Sequence, residues 1–209
     1  MTEKTRRKGA ETRERLLDLA EAAVLEKGFG ATSIDELIVA AGITKSGFFY
    51  HFRDKTALAK ALFERTTARE DEMFDLLFAR ADALDDDPLH ALLIALKLLA
   101  EMLEDLAENR PGVLTASFWY QDRFHDREVR ALNAESLLRW RRRFRSRFDK
   151  AAARYPPGTA VDLDMLADML MAVVDGGINL SRAHGETKLL ARQVLLYRDF
   201  VRMIFQGGH

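Results

Sequence analysis

The sequence predicts an all-α protein of about nine helices, and three observations support this fold class. Residues 48–110 contain no glycine and a single proline, Pro88, so little in this stretch would interrupt long helices. Apolar residues recur at every fourth position in two segments, as an amphipathic helix requires; these are Leu16, Ala20 and Val24, then Trp140, Phe144 and Phe148. Finally, no segment shows the alternation of β-branched and polar residues that is typical of a strand.

In chain order we expect helices at residues 12–27, 34–41, 45–51, 55–84, 88–108, 112–122, 126–154, 162–184 and 187–206. The first three are short and punctuated by glycine, whereas the later ones are mostly long. This contrast predicts a small N-terminal domain, residues 1–54, followed by a larger helical domain, residues 55–209.

The composition excludes several classes of protein. The chain has 209 residues, 48% hydrophobic and 31% charged, and it lacks cysteine, which excludes disulfides, thiolate metal sites and cysteine nucleophiles. No apolar run is long enough to span a membrane, and the N-terminal residues are charged where an export signal is apolar, so we expect a cytoplasmic protein with no membrane partner.

The distribution of charge along the sequence predicts where a nucleic acid would bind. The net charge is −1, which argues against a protein that coats nucleic acid through bulk positive charge. Residues 1–15 hold six basic and three acidic side chains, whereas residues 71–110 hold eleven acidic and three basic ones. Any contact with a phosphate backbone is therefore expected at the N-terminal end.

Residues 33–51 have the layout of a helix-turn-helix. Ser33 and Glu36 are spaced as a capping box, which predicts a helix start, and Gly42 suits the left-handed residue that ends a helix. Thr44 then supplies the cap of a second helix after a short turn.

The second helix displays side chains that suit DNA. Thr44, Lys45, Ser46, Tyr50 and His51 offer donors and acceptors for base edges and phosphates within about two turns. Each residue taken alone is more often a cap or a half-buried aromatic. The ordered set favours DNA recognition.

These residues form part of a longer ordered series: Gly28-Phe29, Thr32-Ser33-Ile34, Ala41 through Gly47, Phe49-Tyr50-His51-Phe52, Lys55 and Leu58. With the helix at 12–27, this series resembles the DNA-binding signature of the TetR family of bacterial transcriptional regulators, over the stretch from Thr12 to Leu58. Two departures are mild: Thr44 stands where serine is common, and Phe48 stands where a smaller residue is usual.

The resemblance implies roles for the individual residues. Thr44, Lys45 and Ser46 are expected to face base edges in the major groove. Tyr50, His51 and Lys55 are expected to contact phosphates. Thr32 and Ser33 are expected to lie near the DNA backbone, and Gly47 is expected to permit close approach of the DNA. The basic residues Lys4, Arg6, Arg7 and Lys8 form either an arm that reaches a minor groove or a solvated tail.

The resemblance also implies a helical body that binds a small molecule and dimerises through its last two helices. The densest aromatic cluster is Phe118, Trp119, Tyr120 and Phe124, which either lines an apolar effector pocket or is ordinary core. Two adjacent glycines inside a long helix suggest close crossing with a second copy of the chain. The expected dimer interface comprises Val173, Gly176, Gly177, Leu190, Val194 and Val201.

The arginine-rich run at 139–150 has two interpretations. It is either a second nucleic-acid surface or a helix whose aromatics face inward while its arginines stay solvated or pair with the acidic helices at 71–110. The inward stripe favours the second interpretation.

We therefore expect a homodimeric transcriptional regulator, a repressor that binds a near-palindromic double-stranded operator and is released by a small organic effector. Two alternatives remain, a ligand-binding protein with a vestigial helix-turn-helix and a helical-bundle enzyme. No arrangement of Ser, His and Asp suggests a nucleophile, and Asp122 with His125 lacks the further ligands of a metal site. We thus expect no enzyme, no cofactor and no metal ion.

Overall fold

The computed structural model describes residues 3–109 and 127–206, and within these residues the chain forms eight helices and no strands. They are α1 (Glu3–Lys27), α2 (Ile34–Ala41), α3 (Lys45–His51), α4 (Lys55–Leu84), α5 (Pro88–Asn109), α6 (Arg127–Arg154), α7 (Leu163–His184) and α8 (Leu189–Gln206). The all-α prediction is confirmed. The bounds of α2, α3 and α4 are those predicted, and those of α5 to α8 differ by one or two residues. The helix predicted at 112–122 lies outside the described residues.

The largest error in the helix prediction is the start of α1, which begins at Glu3 rather than at residue 12. Contacts between polar residues one turn apart stabilise the additional turns, and no large apolar residue in the sequence marks them. The Arg7 guanidinium pairs with the Glu11 carboxylate at 3.2 Å, and the Thr12 hydroxyl donates to the Lys8 carbonyl at 2.9 Å. The basic residues at 4–8 thus belong to a helix and not to a tail.

The described chain divides into two compact units. The first contains residues 3–68 and 127–133, and the second contains residues 69–109 and 134–206. The helix α4 contributes Lys55–Ala68 to the first unit and its remaining residues to the second. The domain boundary expected after residue 54 stays a prediction.

The first unit is built around a core contributed by α1 to α4. Leu16, Leu17, Ala20 and Val24 on α1 are fully buried, and Leu37, Phe48 and Leu62 from the next three helices complete the cluster. Phe48, the position where a smaller residue is usual, is fully buried among these side chains. Burial of this apolar surface positions the two short helices α2 and α3, which are too short to be stable alone.

An arginine joins α4 to α1 within this unit. Arg65 is mostly buried and contacts three carboxylates spaced along one face of α1, those of Glu14 at 3.5 Å, Asp18 at 2.7 Å and Glu21. Because the three acids follow a helical spacing, a single guanidinium on α4 can contact all of them.

The second unit has its core where α5 and α7 pack against α8. The Tyr197 hydroxyl on α8 is buried and donates to the Leu166 carbonyl on α7 at 2.6 Å. Burial raises the pKa of Tyr197 far above its usual value, so the hydroxyl keeps its proton and remains a donor at every physiological pH.

The arginine-rich helix α6 packs on α4 through the inward stripe that the sequence predicts. Phe74 and Phe78 on α4 meet Trp140 and Phe144 on α6 in edge-to-face contacts, with centroids 4.5–5.7 Å apart. Arginines flank this aromatic layer and pair with carboxylates of α4: Arg139 with Asp71 at 3.0 Å, Arg143 with Asp71 at 2.9 Å and Asp75 at 2.7 Å, and Arg147 with Asp82. The predicted pairing with the acidic helices is confirmed for these three carboxylates.

The contact of α7 with α8 corrects the expected dimer residues. Leu190, Val194 and Val201 are fully buried inside one protomer, so they cannot touch a second copy. A Cβ added at Gly177 would lie 2.7 Å from Leu190 Cδ1 and 3.3 Å from Leu190 Cα. Gly177 therefore permits a close crossing within the chain, not the crossing between chains that we expected. Val173 is half-buried, and a Cβ at Gly176 would meet nothing within 4 Å, so these two residues remain candidates.

Candidate nucleic-acid interface

The helix-turn-helix is held by three predicted caps, all confirmed. The Ser33 hydroxyl accepts from the Glu36 N–H at 3.1 Å, and the Glu36 carboxylate accepts from the Ser33 N–H at 3.2 Å. Gly42 ends α2 with φ of 60°, in the left-handed region that a side chain disfavours. Thr44 begins α3, and its hydroxyl accepts from the Gly47 N–H at 3.1 Å. These caps fix where α2 begins and ends and where α3 begins.

The outward face of α3 carries the predicted base-reading residues. Thr44, Lys45 and Ser46 are all exposed, and Tyr50, the predicted phosphate contact, is 71% exposed. The Thr44 and Ser46 hydroxyls lie 3.1 Å apart, so a donor and an acceptor stand side by side. Gly47 is half-buried, and a Cβ there would come within 3.3 Å of Thr44 Oγ1. Glycine at this position therefore leaves room for the cap.

His51 is the half-buried member of the predicted set. Its ring lies 5.0 Å from the Tyr50 ring in an edge-to-face contact. Burial lowers the pKa of His51, and the nearby Arg13 guanidinium lowers that pKa further. The ring is consequently neutral at neutral pH and offers one N–H donor.

Lys55 is fixed at the start of α4. Its ammonium donates to the Gly30 carbonyl at 3.2 Å and lies 4.7 Å from the centroid of the Phe29 ring. Burial lowers the pKa of Lys55, and the Glu36 carboxylate opposes that shift. A cation held at the protein surface beside the helix-turn-helix suits an anion such as a phosphate.

Thr32 differs from its expected role. Its side chain is only 1% exposed, and its hydroxyl donates to the Gly28 carbonyl at 3.0 Å. A buried hydroxyl with this partner holds the turn before α2 and cannot reach a phosphate. Ser33 is exposed beside it, and its contact with DNA stays a prediction.

The structure also presents residues that sequence reasoning missed. Asp35 and Val39 lie one turn apart on the outward face of α2, and Val39 is 80% exposed. Phe49 on α3 is partly exposed as well. The sequence could have indicated these residues, because positions 35 and 39 lie opposite the predicted apolar face of α2. Apolar side chains so placed suit contact with thymine methyl groups.

An exposed polar face on the second helix of a capped helix-turn-helix defines a DNA-binding regulator. The N-terminal unit of the chain is similar to the TetR family. Residues 16–62 match the family described as bacterial regulatory proteins, tetR family.

Two relatives of known name are transcriptional regulators. The HTH-type transcriptional regulator AcrR of Shigella flexneri is 29% identical over 125 residues, which cover 59% of this chain and 55% of that protein, so the match spans about half of its length. The probable HTH-type transcriptional regulator ArpR of Pseudomonas putida is 25% identical over 212 residues, covering 99% of this chain and 94% of that protein.

Solved structures share the fold over nearly the whole chain. A TetR-family transcriptional regulator from Agrobacterium tumefaciens superposes with a TM-score of 0.77 at 16% identity, covering 94% of this chain and 99% of that one. The protein SmeT in complex with triclosan superposes with a TM-score of 0.73 at 21% identity, covering 95% of this chain and 94% of that one. In the described residues, no helix is long and apolar enough to cross a membrane.

Proposed function

We propose that the chain is a homodimeric transcriptional repressor that binds a near-palindromic operator and leaves it when a small organic effector binds. The observation that carries this proposal is the exposed polar face of α3, positioned by the caps at Ser33, Gly42 and Thr44. A bacterial operator lies in the cytoplasm, and the proposal places the protein there. It requires no catalytic step, no cofactor and no metal ion.

An exposed apolar surface on α7 and α8 supports the homodimer. Leu196 and Met203 on α8 are 64% and 63% exposed although both are large and apolar. Other large apolar residues are exposed on the same two helices: Met165, Met169, Leu180 and Phe200. Apolar side chains one to three turns apart along adjacent helices suit burial against the same surface of a second copy, related by a twofold axis. Gly176 lies on α7 with open space above it and permits close approach there.

The expected effector residues Phe118, Trp119, Tyr120 and Phe124 lie outside the described residues, as do Asp122 and His125. Their role in a pocket stays a proposal. Within the described second unit, a cleft of about 550 Å³ lies between α4 and α5. Met73, Leu76, Leu77, Leu98 and Met102 form its apolar lining, and the charged residues Arg69, Glu72, Arg80, Glu101 and Asp105 complete it.

The size and lining of this cleft suit a small organic molecule with substantial apolar surface. The triclosan complex of SmeT, a protein with the same fold, supports an effector of this class. For release, the effector must bind more tightly to a dimer whose two α3 helices are spaced wrongly for the operator, because a ligand with equal affinity for both states shifts neither. The helix α4 runs from Lys55 to the residues of the cleft, and we expect it to transmit the change.

Selection of bound sequences from a random pool of double-stranded DNA tests the proposal. The expected result is a near-palindromic site with half-sites about one helical turn apart, or a multiple of that spacing. Enrichment of no sequence would favour a ligand-binding protein with a vestigial helix-turn-helix, and an enriched site without a dyad would contradict the homodimer.

A further inference from the structure

The face of α2 that points away from the core carries an acidic side chain where a DNA-binding surface is least expected to have one. Asp35 lies in the first turn of α2, and its side chain is 82% exposed. A carboxylate near a phosphate backbone repels it, so Asp35 lowers the affinity for every DNA sequence alike unless it makes a specific contact.

Asp35 is joined to the principal cation of the recognition helix. The Lys45 ammonium lies 3.6 Å from Asp35 Oδ1, and the Lys45 side chain is 69% exposed. This ion pair links the two helices of the helix-turn-helix across the turn. An ion pair this exposed contributes little to the stability of the fold. Stability therefore does not explain why an acidic residue lies beside Lys45.

Both partners keep hydrogen-bonding capacity after pairing. An ammonium has three donors, and a carboxylate has two oxygens that each accept more than one hydrogen bond. The pair therefore presents a donor and an acceptor side by side, at a spacing set by the positions of α2 and α3.

The major-groove edge of a G·C base pair presents the complementary pattern. Guanine offers two acceptors, N7 and O6, and cytosine offers the N4 donor beside them. An A·T pair in the same orientation keeps the N7 acceptor for the ammonium but replaces O6 with the N6 donor of adenine. It also places the O4 acceptor of thymine near the carboxylate, so it loses one ammonium contact and opposes the carboxylate contact.

We propose that Asp35 and Lys45 together read a G·C base pair in each half-site, with Lys45 donating to guanine and Asp35 accepting from the cytosine amino group. This assignment rests on the proposed function, because it requires α3 to enter the major groove. It makes Asp35, a residue outside the recognition helix, a determinant of operator sequence.

The test repeats the selection from random DNA with Asp35→Asn, Lys45→Gln and the double variant. Asn keeps the size of Asp35 but replaces one acceptor oxygen with a donor. The matched control is Glu26→Gln, which removes an exposed carboxylate on α1 of the same unit. Thermal unfolding of each variant confirms that it folds.

We expect Asp35→Asn to lower the preference for one G·C pair in each half-site about tenfold. Lys45→Gln should lower the preference at the same pair, and the double variant should lose less than the product of the two single effects, since both residues read one pair. Glu26→Gln should leave the preferred sequence unchanged.

Two results would overturn the assignment. In the first, Asp35→Asn enriches the same site as the wild-type protein, as Glu26→Gln is expected to do, and differs only in binding all sequences more tightly. Asp35 would then only repel phosphates or stabilise the start of α2. If the two single variants change different base pairs, they do not read one pair together. A wild-type protein that enriches no sequence would overturn the proposed function and this assignment with it.

Discussion

The adjacent glycines of α7 give a matched pair of substitutions with opposite expected effects. Alanine at Gly176 would enter open space, whereas alanine at Gly177 would place its Cβ 2.7 Å from Leu190 Cδ1. Both substitutions replace glycine inside a helix, which gains about 1 kcal/mol in helix propensity. Only the second one crowds a neighbour within the chain.

The crowding at Gly177 is not easily relieved. Leu190 is fully buried and cannot swing outward, and its Cα, at 3.3 Å, belongs to the backbone at the start of α8. Adding a methyl group to a filled core costs about 1–3 kcal/mol. Subtracting the propensity gain leaves a net loss of roughly 1 kcal/mol for Gly177→Ala, against a gain of about 1 kcal/mol for Gly176→Ala.

The assay is urea unfolding of both variants, followed by far-ultraviolet circular dichroism at one protein concentration. The free energies of unfolding should differ by about 2 kcal/mol, with thermal midpoints about 4–8 °C apart for a chain of this size. Sedimentation at the same concentration shows whether the variants are compared in the same association state. A Gly177→Ala variant as stable as Gly176→Ala would refute the close crossing of α7 with α8.

Three further substitutions test the assignments of single residues. Thr32→Val should cost about 1 kcal/mol of unfolding free energy through its lost hydroxyl bond and leave DNA affinity at a fixed temperature and salt concentration unchanged. A weaker affinity for all sequences alike would restore Thr32 to phosphate contact. Leu196→Glu should yield monomers with weakened operator binding, whereas Leu84→Glu, at an exposed apolar position of α4, should not; a dimeric Leu196→Glu would place the interface elsewhere. The hydrogen bond from Arg147 lowers the pKa of Asp82 below its usual value, so the ionised carboxylate stabilises the fold above that value and the stabilisation is lost as the pH falls through the lowered pKa. Arg147→Gln should therefore make the free energy of unfolding depend less on pH in this acidic range. An unchanged pH dependence would contradict the pairing.

The helix-turn-helix was predictable because short-range rules govern it. The capping box at Ser33, the left-handed Gly42 and the cap at Thr44 each depend on residues within a few positions, and the structure has all three. The N-terminal turns of α1 were missed because charge pairs at helical spacing, such as Arg7 with Glu11, stabilise them without any apolar residue to mark the start.

The errors in the site arise from long-range packing. A sequence shows that Gly177 tolerates a close neighbour but not whether that neighbour, here Leu190, belongs to the same chain or to a second one. Thr32 is an exception, because its error is local: a hydroxyl suited to a phosphate is equally suited to the Gly28 carbonyl four residues earlier. The proximity of Asp35 to Lys45 follows from the angle between two helices, which no local pattern encodes.

The central claim is that α3 reads DNA sequence, and the affinity for two DNA duplexes of equal length tests it most directly. One duplex carries the enriched site and the other carries the same bases in scrambled order, and binding is measured across a range of salt concentrations. The wild-type protein should prefer the enriched site by at least about 10³-fold at physiological salt. Lys45→Ala should lose much of that preference, whereas Lys55→Ala should weaken binding to both duplexes alike and lower the salt slope by about 1. Equal wild-type affinity for the two duplexes would contradict the claim.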